Sequence, residues 1–519
     1  MRYTNLAVRP VWSSPQGAFM RVSPSLATFT YLGLIVAGAA CGSSSTKATS
    51  GGAGGGTSSS TTSTSSSSSS GSTGGASTSS TSSTSTTGAS SSGSCDVADA
   101  GIGGGFPFPV VSYSGAPLID QPKVISISFK GDNLAPQLDQ FGDALTGTAY
   151  WNTVRAGFSG AGGTCIGDGP PGTSIVLPTA AAASYTDSSM PGGASSLKTW
   201  LTGLITAKTV PAPDDNTIYA IYFPTATTVT LDGSASCQAF DGYHDGMLMG
   251  TQQVVYAVIN ECTQQGITTL QNTTITTSHE VIEAATDGIQ TQTTGGYYLD
   301  FNDENVLGWN DIQGGEVGDL CVDPFGLALD ETTENGFTAQ RIWSVPQAAA
   351  GKNPCVPVPA GEVYFNAWPS ATVLVMDVGQ SQTITINALS DAAMPAWTVL
   401  AQDWTDPNTT YLTFSIVGGQ TDDAGTAQLS MASGATAQLT VTLIADPGNS
   451  ANGEADGVLV SANNADPNKV TAAHFWPFIA LTTAEAAQQQ LTMMKKQHGA
   501  RTHKVSHARG RHPLSSLHF

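Results

Sequence analysis

Residues 253–259, QVVYAVI, and residues 276–287, TTSHEVIEAATD, determine the architecture that the sequence predicts. The first run is apolar and rich in β-branched residues, which is typical of a strand buried within a sheet. The second run predicts a helix over 276–286, with Thr276 or Thr277 as its N-cap and Glu280 in its first turn. A strand followed by a helix indicates a layered domain of the α/β or α+β class.

Further runs upstream predict the same kind of domain. Residues 124–129 alternate apolar and polar side chains, and residues 217–223 form a second apolar run, so both are predicted strands. Helices are predicted over 141–158 and 194–206. We therefore expect a first folded domain over residues 95–355, of the α/β or α+β layered type.

Residues 356–480 have a different pattern. Short β-rich runs are separated by turn sequences, with no helical period, which predicts an all-β immunoglobulin-like sandwich. The only histidine of this region, His474, lies in an aromatic run and is expected to be structural. The predicted strands are 371–376, 382–386, 411–416, 436–444, 457–461 and 472–481.

The predicted helix over 276–286 carries the motif H-E-x-x-E. On a helix, His279 and Glu283 lie four residues apart and share one face, so both can bind one metal ion. Glu280 follows the ligand histidine directly, the position of the general base in H-E-x-x-H metallopeptidases. In this motif Glu283 replaces the second histidine. The third ligand must come from elsewhere, and the candidates are His244, Glu316 and Asp319.

The ligand types leave the metal open. A histidine with carboxylates favours zinc, and it also suits manganese or calcium. A separate calcium site is an alternative for the acidic residues that follow the helix, although their spacing is not that of an EF-hand. In the simplest interpretation, His279 and Glu280 only stabilise a helix. The acidic residues in question are Asp300, Asp303, Glu304, Asp311, Glu316, Asp319 and Asp323.

Several motifs occur in order between residues 108 and 325. Together they resemble the phosphate-induced protein family, also called EXORDIUM-like. The resemblance implies an exported protein, and bacterial members with S-H-E-x-x-E-A-x-T-D look like metallopeptidases. The motifs are 111–118 (VSYSGAPL), Cys237 with 242–244 (GYH), 256–258 (YAV), Cys262, 278–283 (SHEVIE) and 315–321 (GEVGDLC).

The N-terminal part is typical of export. Residues 1–40 resemble a signal peptide, and their apolar run is short for a membrane span. Cys41 follows small residues, as in a bacterial lipoprotein cleavage site, although ordinary secretion is an alternative. Residues 41–94 are almost wholly Ser, Thr and Gly after Cys41, which predicts a disordered tether. We therefore expect a lipid-anchored envelope protein or a secreted one.

Cysteine content and charge agree with export. Six cysteines besides Cys41 suit disulfides in an oxidising compartment, and Cys237 with Cys262 is the favoured pair. Residues 96–480 hold 38 acidic and 8 basic residues, a net charge of −30, which disfavours binding to nucleic acid or anionic membranes. Residues 481–519 form a basic, His-rich tail. The six cysteines are Cys95, Cys165, Cys237, Cys262, Cys321 and Cys355.

Two functions fit these observations. The first is a tethered metallohydrolase, most simply a peptidase, with zinc as the expected cofactor and Glu280 as base. The second is a non-catalytic surface binding or adhesion protein, in which the sandwich performs the recognition. The expected partner is a peptide, a protein or a cell-envelope polymer, with membrane contact only through the lipid anchor.

Overall fold

A computed structural model of the chain describes Cys95 and residues 105–190, 192–288, 295–303, 305–449, 453–483 and 485. The predicted signal peptide, Cys41, the tether and nearly all of the basic tail lie outside the described residues, as does Glu304. None of the described helices is long and apolar enough to cross a membrane.

The described part of the chain is mostly β-sheet, with 24 strands and six α-helices. The helices are α1 (Ala135–Leu145), α2 (Ala149–Val154), α3 (Ser196–Thr206), α4 (Thr269–Asp287), α5 (Val306–Gln313) and α6 (Val345–Ala349). The strands of the first half are β1 (Val111–Tyr113), β2 (Lys123–Phe129), β3 (Thr173–Leu177), β4 (Ser184–Asp187), β5 (Thr217–Phe223), β6 (Thr228–Leu231), β7 (Ser234–Ala235), β8 (Gly242–Met249), β9 (Gln252–Asn260), β10 (Tyr297–Leu299), β11 (Glu331–Glu334), β12 (Phe337–Gln340), β13 (Ile342–Trp343) and β14 (Cys355–Val356). Those of the second half are β15 (Phe365–Pro369), β16 (Val373–Val375), β17 (Ser381–Ser390), β18 (Trp397–Asp403), β19 (Leu412–Ile416), β20 (Gln420–Thr421), β21 (Ala427–Met431), β22 (Thr436–Leu443), β23 (Ala455–Ala462) and β24 (Ala473–Leu481).

A five-stranded sheet in the order β3-β2-β5-β9-β8 occupies the first half. The first four strands are parallel, and β8 runs antiparallel to β9 at the edge. Every residue of β5 is buried, which explains why the strand is apolar throughout rather than alternating. Alternate side chains of the sheet pack with α1 and α4 on one face and with α3 on the other.

Helix α4 begins earlier than the sequence predicts. Thr268 is its N-cap and forms a capping box with Gln271, so the predicted N-cap at Thr276 or Thr277 is wrong. The hydroxyls of Thr276 and Thr277 instead donate to carbonyl oxygens four residues earlier, at 3.0 and 2.7 Å. These bonds accommodate threonine inside a helix. Glu280 therefore lies in the middle of α4, not in its first turn.

The helix predicted over 141–158 is two shorter helices. Helix α1 ends at Leu145, and Thr148 caps α2 by accepting a hydrogen bond from the amide of Trp151 at 3.1 Å. The helix breaks here for two reasons. Gly147 disfavours the continuation of α1, and Thr148 is a favourable N-cap for α2.

The second half contains two sheets that pack into a common apolar core. The four-stranded sheet has the order β15-β17-β22-β19, and the six-stranded sheet has the order β16-β24-β23-β18-β21-β20. All pairs are antiparallel except β16 with β24. Buried and more exposed residues alternate along much of β17 and β22, so one face of each strand is buried, as expected for two sheets that pack face to face.

The six cysteines form three disulfides. Cys237 pairs with Cys262, the pair that the sequence favours. Cys95 pairs with Cys165, and Cys321 pairs with Cys355. Since disulfides persist in oxidising compartments, the three bonds indicate an exported protein.

His474 predicts a pH dependence of stability. Its ring lies 4.4 Å from that of Tyr364, and burial together with the Arg341 guanidinium lowers its pKa from 6.5 to about 3. The unfolded chain therefore binds more protons between these pH values, so the free energy of unfolding falls as the pH decreases through that window. We expect His474→Phe to reduce this dependence in urea unfolding measured across the window. Equal pH dependence in both proteins would contradict the assignment.

Candidate metal centre

Six side chains from three segments meet beside α4. His244 comes from β8, and His279, Glu280 and Glu283 come from α4. Glu316 and Asp319 come from the segment that enters the 3-10 turn Asp319–Cys321. We call these six residues the His–carboxylate centre. The structure thus brings together the candidate base and all the candidate ligands of the predicted H-E-x-x-E site.

A glycine lets the strand β8 approach α4 closely. A Cβ atom at Gly242 would lie 2.4 Å from Cγ2 of Thr276 and 3.0 Å from Oε1 of Glu280. The absent side chain leaves space for the two elements to come together two residues before His244. This contact brings the imidazole of His244 near the face of α4 that carries Glu280 and Glu283.

His279 and Glu283 share one face of α4, as their spacing predicts. Nε2 of His279 lies 2.8 Å from Oε2 of Glu283 and 3.8 Å from Oδ1 of Asp319. Two ligand atoms bound to one zinc at about 2.0–2.2 Å can lie this far apart. The separation of the His279 and Glu283 atoms therefore fits a shared ion.

Gln340 determines which nitrogen of His279 carries the proton. Its Nε2 donates to the carbonyl oxygen of Gly318 at 2.7 Å, so its Oε1 faces Nδ1 of His279 at 2.9 Å. Because that oxygen can only accept, Nδ1 is the donor. In the neutral imidazole, Nε2 is then the nitrogen with a lone pair, and it is the atom that faces Glu283.

Backbone amides hold the other oxygen of Glu283. Gly318 and Asp319 donate their N–H groups to Oε1 at 2.8 and 3.1 Å. Oε2 is buried and accepts no hydrogen bond from the described residues. One oxygen thus positions the carboxylate, while the second is directed at His279.

His244 completes the group from the opposite side. Its Nδ1 lies 3.3 Å from Oε2 of Glu280 and 3.6 Å from Oε2 of Glu283, and its Nε2 lies 3.6 Å from Oε2 of Glu316. Two sets of three ligand atoms result, each within 4.8 Å of one another. They are His244, Glu283 and Glu316, and His279, Glu280 and Glu283.

The centre is buried and strongly anionic. His279 and Glu280 are 0% exposed, Glu283 is 1% exposed, and the most exposed member, Asp319, reaches only 6%. Burial raises the pKa of Glu283 well above its usual value, and the carboxylates of Glu316, Asp319 and Glu280 raise it further. Four buried carboxylates are unfavourable together unless a cation or protons compensate their charge. The donor set therefore fits a divalent metal.

The acidic residues considered for a separate calcium site do not gather in one place. Glu316 and Asp319 belong to the His–carboxylate centre. Asp323 accepts hydrogen bonds from the amides of Phe325 and Leu327, which makes it a loop-capping residue. Asp311 instead approaches Glu454 and Asp456, two acids that the sequence did not single out.

Gln340 and Gly318 are contributors that the sequence did not reveal. Gln340 lies at the end of β12, 61 residues from His279, and an isolated glutamine in a strand has no recognisable pattern. Gly318 lies within the quoted 315–321 motif, but nothing in one sequence indicates that its amide binds Glu283.

Replacing Gln340 should weaken metal binding without removing a ligand. In Gln340→Leu, His279 loses the acceptor that orients its ring, and the loss of such a partner typically costs about 10–100-fold in metal affinity. Competition with a chelator of known affinity measures the change. Gln420→Leu, at an exposed glutamine in β20, is the matched control. Equal affinities of Gln340→Leu and wild type would contradict the assigned role.

Comparisons with known proteins give no identity. No model of a protein family matches the chain, and no curated protein does. Solved structures do match, and three of them cover about a quarter of the chain or less. A conjugative transposon lipoprotein from Bacteroides eggerthii has 11% identity over 22% of this chain and 95% of its own, with a TM-score of 0.17. Domain 1 of VCBP3 from Branchiostoma floridae has 9% identity over 24% of this chain and 98% of its own, at 0.16. A chaperone–tip adhesin complex of CFA/I fimbriae has 10% identity over 22% of this chain and 54% of its own, at 0.15. These scores are too low to bear on function.

Proposed function

We propose that this chain is an exported surface protein that binds a divalent cation, zinc, in the His–carboxylate centre. The observation that carries the proposal is the 2.8 Å approach of Nε2 of His279 to Oε2 of Glu283. Gln340 makes Nε2 the lone-pair nitrogen, so two acceptors face each other in a buried place whenever Glu283 is ionised. A cation bound by both atoms removes that conflict.

His279 and Glu283 are the central ligands in this proposal. The third ligand is one of His244, Glu316 and Asp319, which approach Oε2 of Glu283 or Nε2 of His279 from the other two segments. An imidazole with carboxylates favours zinc over calcium, which prefers oxygen ligands alone. Glu316 and Asp319 are the most exposed members of the centre.

The activity that such a centre can support is hydrolysis of a peptide. Zinc supplies Lewis acidity for attack on a carbonyl group. Glu280 is the proposed general base, since it adjoins His279 in sequence and its Oε1 is buried without a hydrogen-bond donor among the described residues.

A non-catalytic metal site is the second candidate, and burial favours it. A substrate must reach the base, yet Glu280 is 0% exposed and Glu283 is 1% exposed. In that case the ion stabilises the fold, and the protein acts as a surface binding or adhesion protein through its second half. The partner is a peptide, a protein or a cell-envelope polymer.

The resemblance to the EXORDIUM-like family, the lipid anchor at Cys41 and the domain division belong to the same proposal. The four parallel strands with helices against both faces support a layered α/β domain within 95–355. The two facing sheets support an immunoglobulin-like sandwich within 356–480. Three disulfides support export to the cell envelope or beyond.

Metal analysis of four proteins tests the proposal. We expect wild type to contain zinc, Glu280→Gln to retain most of it, and both His279→Ala and Glu283→Gln to lose it. Hydrolysis of a peptide library by wild type, abolished in Glu280→Gln, would establish the peptidase. Zinc without hydrolysis would establish the non-catalytic alternative. Wild type that neither contains nor takes up zinc would refute the metal centre.

A further inference from the structure

The order of the parallel strands places a reversal of the chain direction across the sheet at their carboxyl ends. The chain passes from β2 to β3 on one side of it and later to β5 on the other side. In open parallel sheets, ligands bind outside the carboxyl ends of the strands at such a reversal. The relevant ends are Phe129 of β2 and Phe223 of β5.

Two carboxylates meet at this point. The amide of Asp132 donates to the carbonyl of Phe129 at 3.1 Å, and the amide of Glu261, just after β9, donates to that of Phe223 at 2.9 Å. Oδ1 of Asp132 accepts from the amide of Leu134 at 2.8 Å, which orients this carboxylate. The carboxyl groups of Asp132 and Glu261 then contact each other above the end of β5.

One oxygen of each carboxyl group has no hydrogen-bond donor in the described part of the chain. Glu261 is only 5% exposed, and its Oε1 and Oδ2 of Asp132 are buried without a hydrogen-bond donor among the described residues. Neither residue takes part in an ion pair of the described chain. Burial and the charge of Asp132 raise the pKa of Glu261 to about 8.

Helix α1 adds more negative charge beside the pair. Burial and the carboxylates of Asp143 and Asp132 raise the pKa of Asp139 to about 6. The hydroxyl of Ser128, on β2, lies within reach of Asp139. The side chains named here therefore offer oxygen atoms as ligands.

We propose that Asp132 and Glu261 bind a hydrated divalent cation of the magnesium type at the carboxyl end of the parallel sheet. Mg²⁺ retains several waters and is commonly held by one or two carboxylates, so it does not need a complete protein cage. Asp139 and Ser128 can accept hydrogen bonds from such waters. The all-oxygen donor set distinguishes this second site from the His–carboxylate centre, which contains two imidazoles.

Titration of the complete chain with Mg²⁺ tests the proposal. The zinc content of each sample is measured in parallel. We expect Mg²⁺ to raise the melting temperature of wild type and to bind in calorimetry. Glu261→Gln and Asp132→Asn should each weaken Mg²⁺ binding by about tenfold or more, because each removes one of two direct ligands. Asp423→Asn, at an exposed acid in the second half, is the matched control and should bind normally.

The outcomes separate this site from the zinc centre. Unchanged zinc in a Glu261→Gln protein that no longer responds to Mg²⁺ would support two independent sites. If Glu261→Gln does not fold, Glu261→Asp keeps the charge and should bind Mg²⁺ more weakly than wild type. A wild type with no response to Mg²⁺ would overturn the proposal and leave a shared proton as the bond between the carboxyl groups, whatever the zinc result.

Discussion

Chelation of zinc should lower the free energy of unfolding by about 4 kcal/mol, the contribution of a ligand present at a thousand times its dissociation constant. The cause is the charge of the His–carboxylate centre. Without a cation, Glu280, Glu283, Glu316 and Asp319 repel one another in a place where water cannot solvate them. Urea unfolding with excess zinc and with a chelator measures the difference.

Glu316→Gln is the informative variant for this prediction. It removes one negative charge near His244 while leaving His279 and Glu283 in place. In the presence of chelator we therefore expect it to unfold at higher urea concentration than wild type, whereas with zinc it should be the less stable protein. Unfolding curves of wild type that coincide with and without zinc would contradict the charge argument.

Gly318→Ala should abolish tight metal binding although no ligand is changed. A Cβ atom there would lie 2.6 Å from both Cε1 and Nδ1 of His279 and 2.8 Å from Oε1 of Glu283. Gly318 has ordinary helical dihedral angles, so the effect is steric and not a consequence of backbone strain. Because both central ligands must move, we expect a loss of about 100-fold or more in zinc affinity.

Stability should fall as well, by about 1–3 kcal/mol, as for other overpacked interiors. Gly203→Ala is the matched control, since a Cβ at this helical position of α3 meets nothing within 4 Å. The control should be as stable as wild type or slightly more so, because alanine favours helix. Normal zinc affinity in Gly318→Ala would show that His279 and Glu283 do not need this close packing.

Sequence patterns predicted those parts of the fold that local chemistry determines. The strand over 217–223 and the core of β9 follow from continuous apolar runs, because both faces of the sheet are covered. The start of α4 could not be predicted from the sequence, because threonine is a common N-cap residue and Thr276 and Thr277 instead lie inside the helix. Strand β18 of the six-stranded sheet was missed because its sequence, WTVLAQD, is neither alternating nor apolar throughout, although six of its seven residues are buried.

The sequence predicted which residues form the candidate site, but not how they are arranged in space. Histidine is rare in this chain, so His244 became a candidate although 35 positions separate it from His279. The contact of β8 with α4 that unites them depends on Gly242, and one sequence gives no reason to expect it. The tautomer of His279 depends on Gln340, whose role arises only from the tertiary fold.

Burial of α4 has a consequence for the time at which the protein would acquire the proposed metal ion. All residues from Asn272 to Asp287 are buried, so this helix has no solvent-facing side that could stabilise it alone. Its ligands, moreover, meet others from β8 and from the segment tied down by Cys321. The unfolded chain therefore does not contain an assembled His–carboxylate centre. We expect maturation to proceed in sequence, with chain folding and thiol oxidation first and metal uptake last, outside the cytoplasm.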